Sequence, residues 1–358
     1  MTAKAPRISI LHPYLENRFK EVKSGKYPRH HLWGINAIEQ HQSWNSKFIN
    51  TSTYPIPKVV ESLLNKTFFR GSPGCKVELS AIKASQKTDL IYSVCGPLTL
   101  SRYFPKKLVS WTFRNPPVLS TFQLAHRAYR ARNLHSQAGF LCLTPMAKEL
   151  FSEFAPSRFL PWCVDLDLFD GALPISPPVT PFFLASGKTE RDYKSLINAT
   201  TSVNAEVRII GPRHLRPSTK PTNLTWIDSS MNPPDKAIDY KTLKEWYAQC
   251  TAVCIPLSGD AEDTCGYTNM LEAMAMRKPV LMTRSGCLHM NPEKGNFGKL
   301  IKPYNSQHWA DSMNKILGNH TLNKVWGDNA RLIAENQFSQ KKFNCRIVKF
   351  LEEILAHG

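Results

Sequence analysis

The chain contains no apolar run approaching the roughly 18 residues that a membrane-spanning helix needs, so nothing in it is expected to span a bilayer. Its first residues, MTAKAPRISILHPYLENR, hold a short apolar stretch from Ile8 to Leu11. A long h-region and a small-residue cleavage site are both missing, which points to a first strand rather than a signal peptide. The nine cysteines are scattered and none forms a C-x-x-C pair. The nearest two, Cys250 and Cys254, lie on either side of a helix-to-strand step, which argues against a zinc site or a disulfide framework and for a reducing cytosol. No solenoid-period repeat and no low-complexity tract is present. Basic residues without interleaved aromatics or a known module put a plain nucleic-acid-binding protein last among the readings.

What is abundant is positive charge. Lys and Arg total 46 against 28 Asp and Glu in 358 residues, a formal net charge of +18. Up to residue 175 there are 23 basic and 11 acidic residues; beyond it, 23 and 17. The first half therefore carries most of the excess, which favours an anionic partner: a membrane surface, a nucleic acid or a phosphorylated substrate. General solubility accounts for the same charge equally well.

Apolar strand-like runs alternate with amphipathic helical segments. RISIL (7–11), DLIYSV (89–94), KLVSWTF (107–113) and GFLCLT (139–144) precede a proline-rich passage, LPISPPVTP (173–181). FFLAS (182–186), a helix over 192–203, EVRIIG (206–211), LTWID (224–228), a helix TLKEWYAQC (242–250) and AVCIPL (252–257) follow it. Such alternation implies parallel sheets with crossover helices, and the prolines are a natural boundary between two such units. The expected fold is α/β: two Rossmann-like, doubly wound domains facing across a cleft, with ligands at the carboxyl ends of the strands.

Three segments of the second half carry candidate chemistry. In FFLASGKTERDYKSLINA a strand ends at Gly187, and Lys188 and Arg191 precede a helix. A glycine and two cations ahead of a helix N-terminus suit a diphosphate, although Glu190 and Asp192 are equally available to pair with those cations. VRIIGP ends a strand at Gly211, where a small residue admits a ligand to the backbone or merely makes a turn. In DTCGYTNMLEAMAMRKPVLMT (263–283), Gly266 stands just before a helix, so the amides of Gly266, Tyr267 and Thr268 can face a ligand. Glu272, one turn on, sits among the apolar Met270, Leu271, Met274 and Ala275. A carboxylate there suits the paired hydroxyls of a ribose, or is satisfied by a neighbouring backbone or basic group.

Taken together, these segments resemble the C-terminal domain of glycosyltransferase family 4, a retaining group with the GT-B fold. So do FLPWCVDLDLFD (159–170), similar to the family's interdomain segment, and SGCLHMNPEKGNFGKLIKPYNSQHWADSMNKIL (285–317), similar to its return strand and penultimate helix. The resemblance runs from about residue 159 to the end and is weak before it. It implies that Glu272 binds the nucleotide ribose and that Lys188 and Arg191 hold the donor diphosphate. Gly266, Tyr267 and Thr268 would supply amides to the phosphate and donor sugar. The family's first motif glutamate falls at Thr264, which leaves the sugar open. Arg277-Lys278 also departs from the family's commoner pairing of a small residue with lysine.

The first half offers KYPRHHLWGINAIEQHQSWNSKFIN (26–50), expected to form an acceptor-side loop, a helix over Leu32 to His41 and a strand over Ser46 to Ile49. His30 and His31 lie where the family's mobile loop approaches the donor. SWTFRNPP (110–117) has Arg114 where family members often carry a histidine. These three are active-site candidates, and most histidines elsewhere are ordinary surface or core residues. STFQLAHRAYRARNLHSQ (120–137) is expected to be a basic helix with Arg127, Arg130 and Arg132, able to meet anionic lipid or simply to pack on its sheet.

The domains expected are 1–165 on the acceptor side, 166–335 binding the nucleotide sugar, and a helix 336–358 packing back toward the first. The function implied is a hexosyltransferase (EC 2.4) moving a sugar from a UDP- or GDP-linked donor to a hydroxyl of a glycan, lipid or small molecule. Retention, the absence of a cofactor and the absence of a metal follow from the resemblance. Asp165-x-Asp167 belongs to the interdomain segment rather than to a metal-binding loop. The cytoplasm, with peripheral contact at the inner face of a membrane, is the expected location. The alternatives are a DNA-modifying glycosyltransferase, suited to the charge, and an inactive sugar-nucleotide-binding protein, suggested by Thr264.

Overall fold

The computed structural model describes residues 4–12, 15–51, 54–69, 73–113, 131–171, 178–230, 238–258, 264–283 and 290–357. The chain divides into two compact units. One comprises Met1–Lys20, His31–Trp162 and Lys341–Gly358; the other comprises Glu21–His30 and Cys163–Gln340.

The first unit is a six-stranded sheet of β1 (Arg7–Leu11), β2 (Asn45–Phe48), β3 (Leu90–Ser93), β4 (Leu108–Thr112), β5 (Gly139–Cys142) and β6 (Ser157–Phe159), in the order β2-β1-β3-β4-β5-β6. Every neighbouring pair is parallel. β3, β4 and β5 are buried along their whole length, whereas the edge strand β2 is largely exposed. Both sheet faces are thus covered, which is why these strands are continuous apolar runs without a polar side. The order reverses between β1 and β3, as in flavodoxin-like sheets.

The second unit holds β7 (Phe182–Ser186), β8 (Glu206–Pro212), β9 (Leu224–Ser229), β10 (Ala252–Ile255), β11 (Val280–Thr283) and β12 (Gly298–Ile301), in the order β12-β11-β10-β7-β8-β9. All five pairings are parallel. Counted within the unit, this is the dinucleotide-binding order 3-2-1-4-5-6, and its topological switch point lies between β7 and β10. Helices Tyr193–Thr200, Tyr240–Gln249 and Tyr267–Ala275 connect the strands. Asp192 and Asp239 cap the first two by accepting from the amides of Ser195 and Thr242. Phe183, Leu196, Val207, Cys254, Leu281 and Trp309 belong to one buried core.

The expected strands are present with ends shifted by a residue or two, and FFLAS is β7 without any shift. One expectation needs revision, and one strand was not foreseen. The single helix over Leu32 to His41 is instead a 3₁₀ turn, Arg29–Leu32, and a short helix, Ile35–Glu39. Trp33 (φ 51°) and Gly34 (φ 78°) separate them, because a left-handed pair cannot continue a right-handed helix. Ser157–Phe159 forms β6, an edge strand the sequence reading missed. Of the basic helix, residues 131–135 are described as helical and Arg132 is exposed; Arg127, Arg130 and Arg114 lie outside the described residues, as do 172–177 of the proline passage. Among the described residues, eight cysteines are free thiols, and no helix is long and apolar enough to cross a membrane.

Candidate active site at the switch point of the second unit

β7 ends at Ser186, and Gly187 follows at φ 137°, a conformation that L side chains rarely adopt. A Cβ on Gly187 would also collide with the guanidinium of Arg191. The loop after it is stitched to the segment following β10. Arg191 forms an antiparallel bridge with Leu257, the Asp192 amide donates to the Pro256 carbonyl (3.1 Å), and the Ser258 amide donates to the Glu190 carbonyl (3.1 Å). The turn is therefore fixed across the switch point, where open α/β sheets bind ligands.

Arg191 is only 8% exposed. It donates to the Thr189 carbonyl at 2.6 Å, to Asn269 Oδ1 at 3.0 Å, and more loosely to the Ser186 carbonyl at 3.4 and 3.5 Å. Every acceptor is neutral. Among the described residues no carboxylate pairs with it, so neither Glu190 nor Asp192 supplies the counter-charge that the sequence left open. A buried cation held only by neutral oxygens keeps its full charge and its attraction for an anion. Lys188 is half-buried in the same turn.

Asn269 ties this turn to the helix Tyr267–Ala275. Its Nδ2 donates to Ser186 Oγ (2.7 Å) and to the Tyr247 hydroxyl (3.4 Å), and Tyr247 donates to Glu272 Oε2 (2.9 Å). Gly266 precedes the helix at φ 81°, packed so that a Cβ would lie 2.6 Å from Ile255. No side chain caps this end, and the Tyr267 amide donates to the Thr264 carbonyl at 3.3 Å. The amides of a helix's first turn have no partner within the helix, and they carry the positive end of its dipole. Thr264, Thr268 and Asn269 are half-buried beside them.

Glu272 is buried, at 2% exposure. His30, at 1% exposure, brings Nε2 to 3.7 Å from Glu272 Oε1. Burial pushes Glu272 up to about 8 and His30 down to about 3. Both are therefore neutral at pH 7, and the contact is not an ion pair. The Asp165 amide donates to His30 Nδ1 at 3.2 Å. That nitrogen is an acceptor, so the neutral ring carries its proton on Nε2, directed at Glu272. Asp165 and Asp167 are both held by Arg29: its amide and Nε donate to Asp165 Oδ2 (2.9 and 3.0 Å) and its Nη2 to Asp165 Oδ1 (2.6 Å) and to Asp167. Burial pushes Asp165 upward, but the Arg29 bonds win and hold it below its ordinary value. Arg29 thus clamps the two acids together, with Asp165 buried and Asp167 exposed.

Of the sequence candidates, Gly187, Arg191, Gly266, Tyr267, Thr268, Glu272 and His30 gather around this switch point. Gly211 is small for another reason: its Cβ direction is filled by the rings of Trp226 (2.8 Å) and Tyr193 (2.9 Å). His31 is counted with the first unit, where its ring meets Trp162 edge-on at 5.5 Å. Ser186, Tyr247 and Asn269 were missed. The one available signal was Asn269, three residues before Glu272 and hence on the same helix face.

Residues 185–319 match the profile of the family described as glycosyl transferases group 1. No curated protein matches the chain by sequence. Solved structures do match in fold. Sucrose-phosphate synthase from Thermosynechococcus elongatus is 14% identical with a TM-score of 0.65, over 99% of this chain and 100% of that one. A glycosyltransferase from Rickettsia africae is 13% identical with a TM-score of 0.65, over 99% and 100%. The Anabaena protein HepE, solved with UDP and glucose, is 14% identical with a TM-score of 0.65, over 97% and 99%.

Proposed function

We propose that this chain, whose residues 185–319 match the glycosyl transferases group 1 profile and whose fold matches solved glycosyltransferases, is a glycosyltransferase that moves a sugar from a nucleoside diphosphate donor to an acceptor hydroxyl. Arg191 carries the reading: a buried cation bonded only to neutral oxygens, at the switch point and beside an uncapped helix N-terminus. The donor diphosphate supplies the missing negative charge. Lys188 and the amides following Gly266 share it, and Glu272 takes the ribose hydroxyls by exchanging its bond with Tyr247. HepE was solved with UDP, which makes a UDP-sugar the first donor to test.

In the reaction the bond between the anomeric carbon and the diphosphate oxygen breaks, and its electron pair leaves with the diphosphate. The acceptor oxygen bonds to the anomeric carbon, and its proton passes to the departing phosphate oxygen on the same face, giving retention. Charge grows on the leaving group, and fixed donors aimed at that charge lower the barrier. No cofactor takes part, and these side chains and amides fill the role a metal would otherwise serve. Thr264, where the family's first motif glutamate stands, contacts the donor sugar and sets a preference of this chain's own. The proposed setting is the cytoplasm.

The test is thermal stabilisation by UDP and GDP, followed by turnover of the matching nucleotide sugars, in the wild type and in Arg191→Gln. The wild type gains melting temperature with one diphosphate, because a ligand bound only by the native state stabilises it. The variant loses that gain. A chain that binds neither diphosphate and consumes no nucleotide sugar refutes the reading.

A further inference from the structure

The helix Lys58–Lys66, sequence KVVESLLNK, has no buried residue. Val59 is 81% exposed, Leu63 62%, Val60 46%, and Phe68 just beyond the helix 47%. This is one contiguous stretch of large apolar side chains turned to solvent in the first unit. The other side of the helix accounts for its attachment. Leu64 packs with Phe69, Cys75 and Leu100, and the Cys75 amide donates to Asn65 Oδ1 at 2.8 Å. Glu61, the only acid on the helix, is held by Lys76 at 2.6 Å.

Val59, Leu63 and Lys66 are spaced four and three residues apart and so share one side of the helix. Lys58 stands at its start, so the outward side carries two lysines and no unpaired acid. We propose that this face, Lys58 to Phe68, docks on an anionic lipid surface. The apolar side chains enter the headgroup boundary, and the lysines extend along them to the phosphates. Charge complementarity selects this occupant. The half of the chain holding the helix has 23 basic against 11 acidic residues, which draws the protein toward an anionic bilayer. A second copy is disfavoured, because a two-fold contact through this face would set the lysines of one copy near those of the other. The inference is independent of the donor site.

The experiment uses the full chain and vesicles of phosphatidylcholine, with and without phosphatidylglycerol. Expected is sedimentation with the phosphatidylglycerol vesicles only, weakened by salt, together with slowed hydrogen exchange over 58–68 when those vesicles are added. The exchange measurement needs no variant. Val59→Ser with Leu63→Ser lowers partitioning by about tenfold or more. Lys58→Ser with Lys66→Ser lowers it by about fivefold for each lysine. Both variants keep the wild-type melting temperature, since these side chains support no core. Three results would overturn the proposal: no binding to phosphatidylglycerol vesicles, protection confined to other segments, or a serine variant that binds as the wild type does. A solution dimer that Val59→Ser with Leu63→Ser dissociates overturns it too, because the face then serves self-association.

Discussion

Replacing Glu272 with glutamine removes a titratable proton from a carboxyl that is 2% exposed and that burial pushes up from 4.5 to about 8. Between those values the folded chain keeps a proton that the unfolded chain has released. Stability therefore falls as pH rises, by about 1.4 kcal/mol per unit. Over the whole window, Glu272 alone costs on the order of 5 kcal/mol. His30 runs the other way: burial lowers it from 6.5 to about 3, so its contribution is intact above 6.5 and is lost as pH falls toward 3. The two slopes cancel between 4.5 and 6.5, and the wild type shows a net decline of about 2 kcal/mol only between 6.5 and 8. Glu272→Gln keeps the shape of the neutral acid and removes the decline. Hydrogen exchange of the β10 and β11 amides across pH reports the second unit alone and so avoids a two-domain unfolding curve. Groups shared by both proteins drop out of the difference between them. If the variant weakens from pH 6.5 to 8 as steeply as the wild type, Glu272 is not the neutral buried acid described.

Two further substitutions test the packing around the same crevice. Gly211→Ala places a methyl 2.8 Å from Trp226 and 2.9 Å from Tyr193; overpacking of this kind costs about 1–3 kcal/mol, and an unchanged melting temperature would remove the packing reason for this glycine. Asn269→Ala strips a partner from Ser186, Arg191 and Tyr247 at once. It should cost about 1–3 kcal/mol in urea unfolding and weaken nucleotide affinity, and a variant equal to the wild type in both would show the network to be incidental.

The sheets were legible because both are parallel and covered on two faces, so strands such as FFLAS and AVCIPL are short apolar runs separated by helical periodicity. β6 was not, since the edge segment Ser157–Phe159 contains only one apolar residue. The segment after Leu32 misled for a related reason. Leu32, Ile35 and Ile38 are all buried at helical spacing, yet Trp33 and Gly34 interrupt the helix with backbone geometry that spacing does not report.

At the site, local pattern identified the glycine turn, Arg191 and Glu272. It could not show that Arg191 is buried without a carboxylate, because that depends on contacts 78 residues away at Asn269. Nor could it show Tyr247, an ordinary helix residue, donating to Glu272 from 25 residues upstream. His30 was suspected from its place in the chain, but its tautomer depends on the Asp165 amide, 135 residues distant. Pairings of that kind follow from topology.

Binding of a nucleoside diphosphate at the β7–β10 switch point is tested by hydrogen exchange of the full chain with and without saturating UDP. Slowed exchange is predicted in 186–191 and 264–272, the turn holding Arg191 and the start of the helix holding Glu272. Protection confined to other segments, with those two unchanged at saturation, would contradict it.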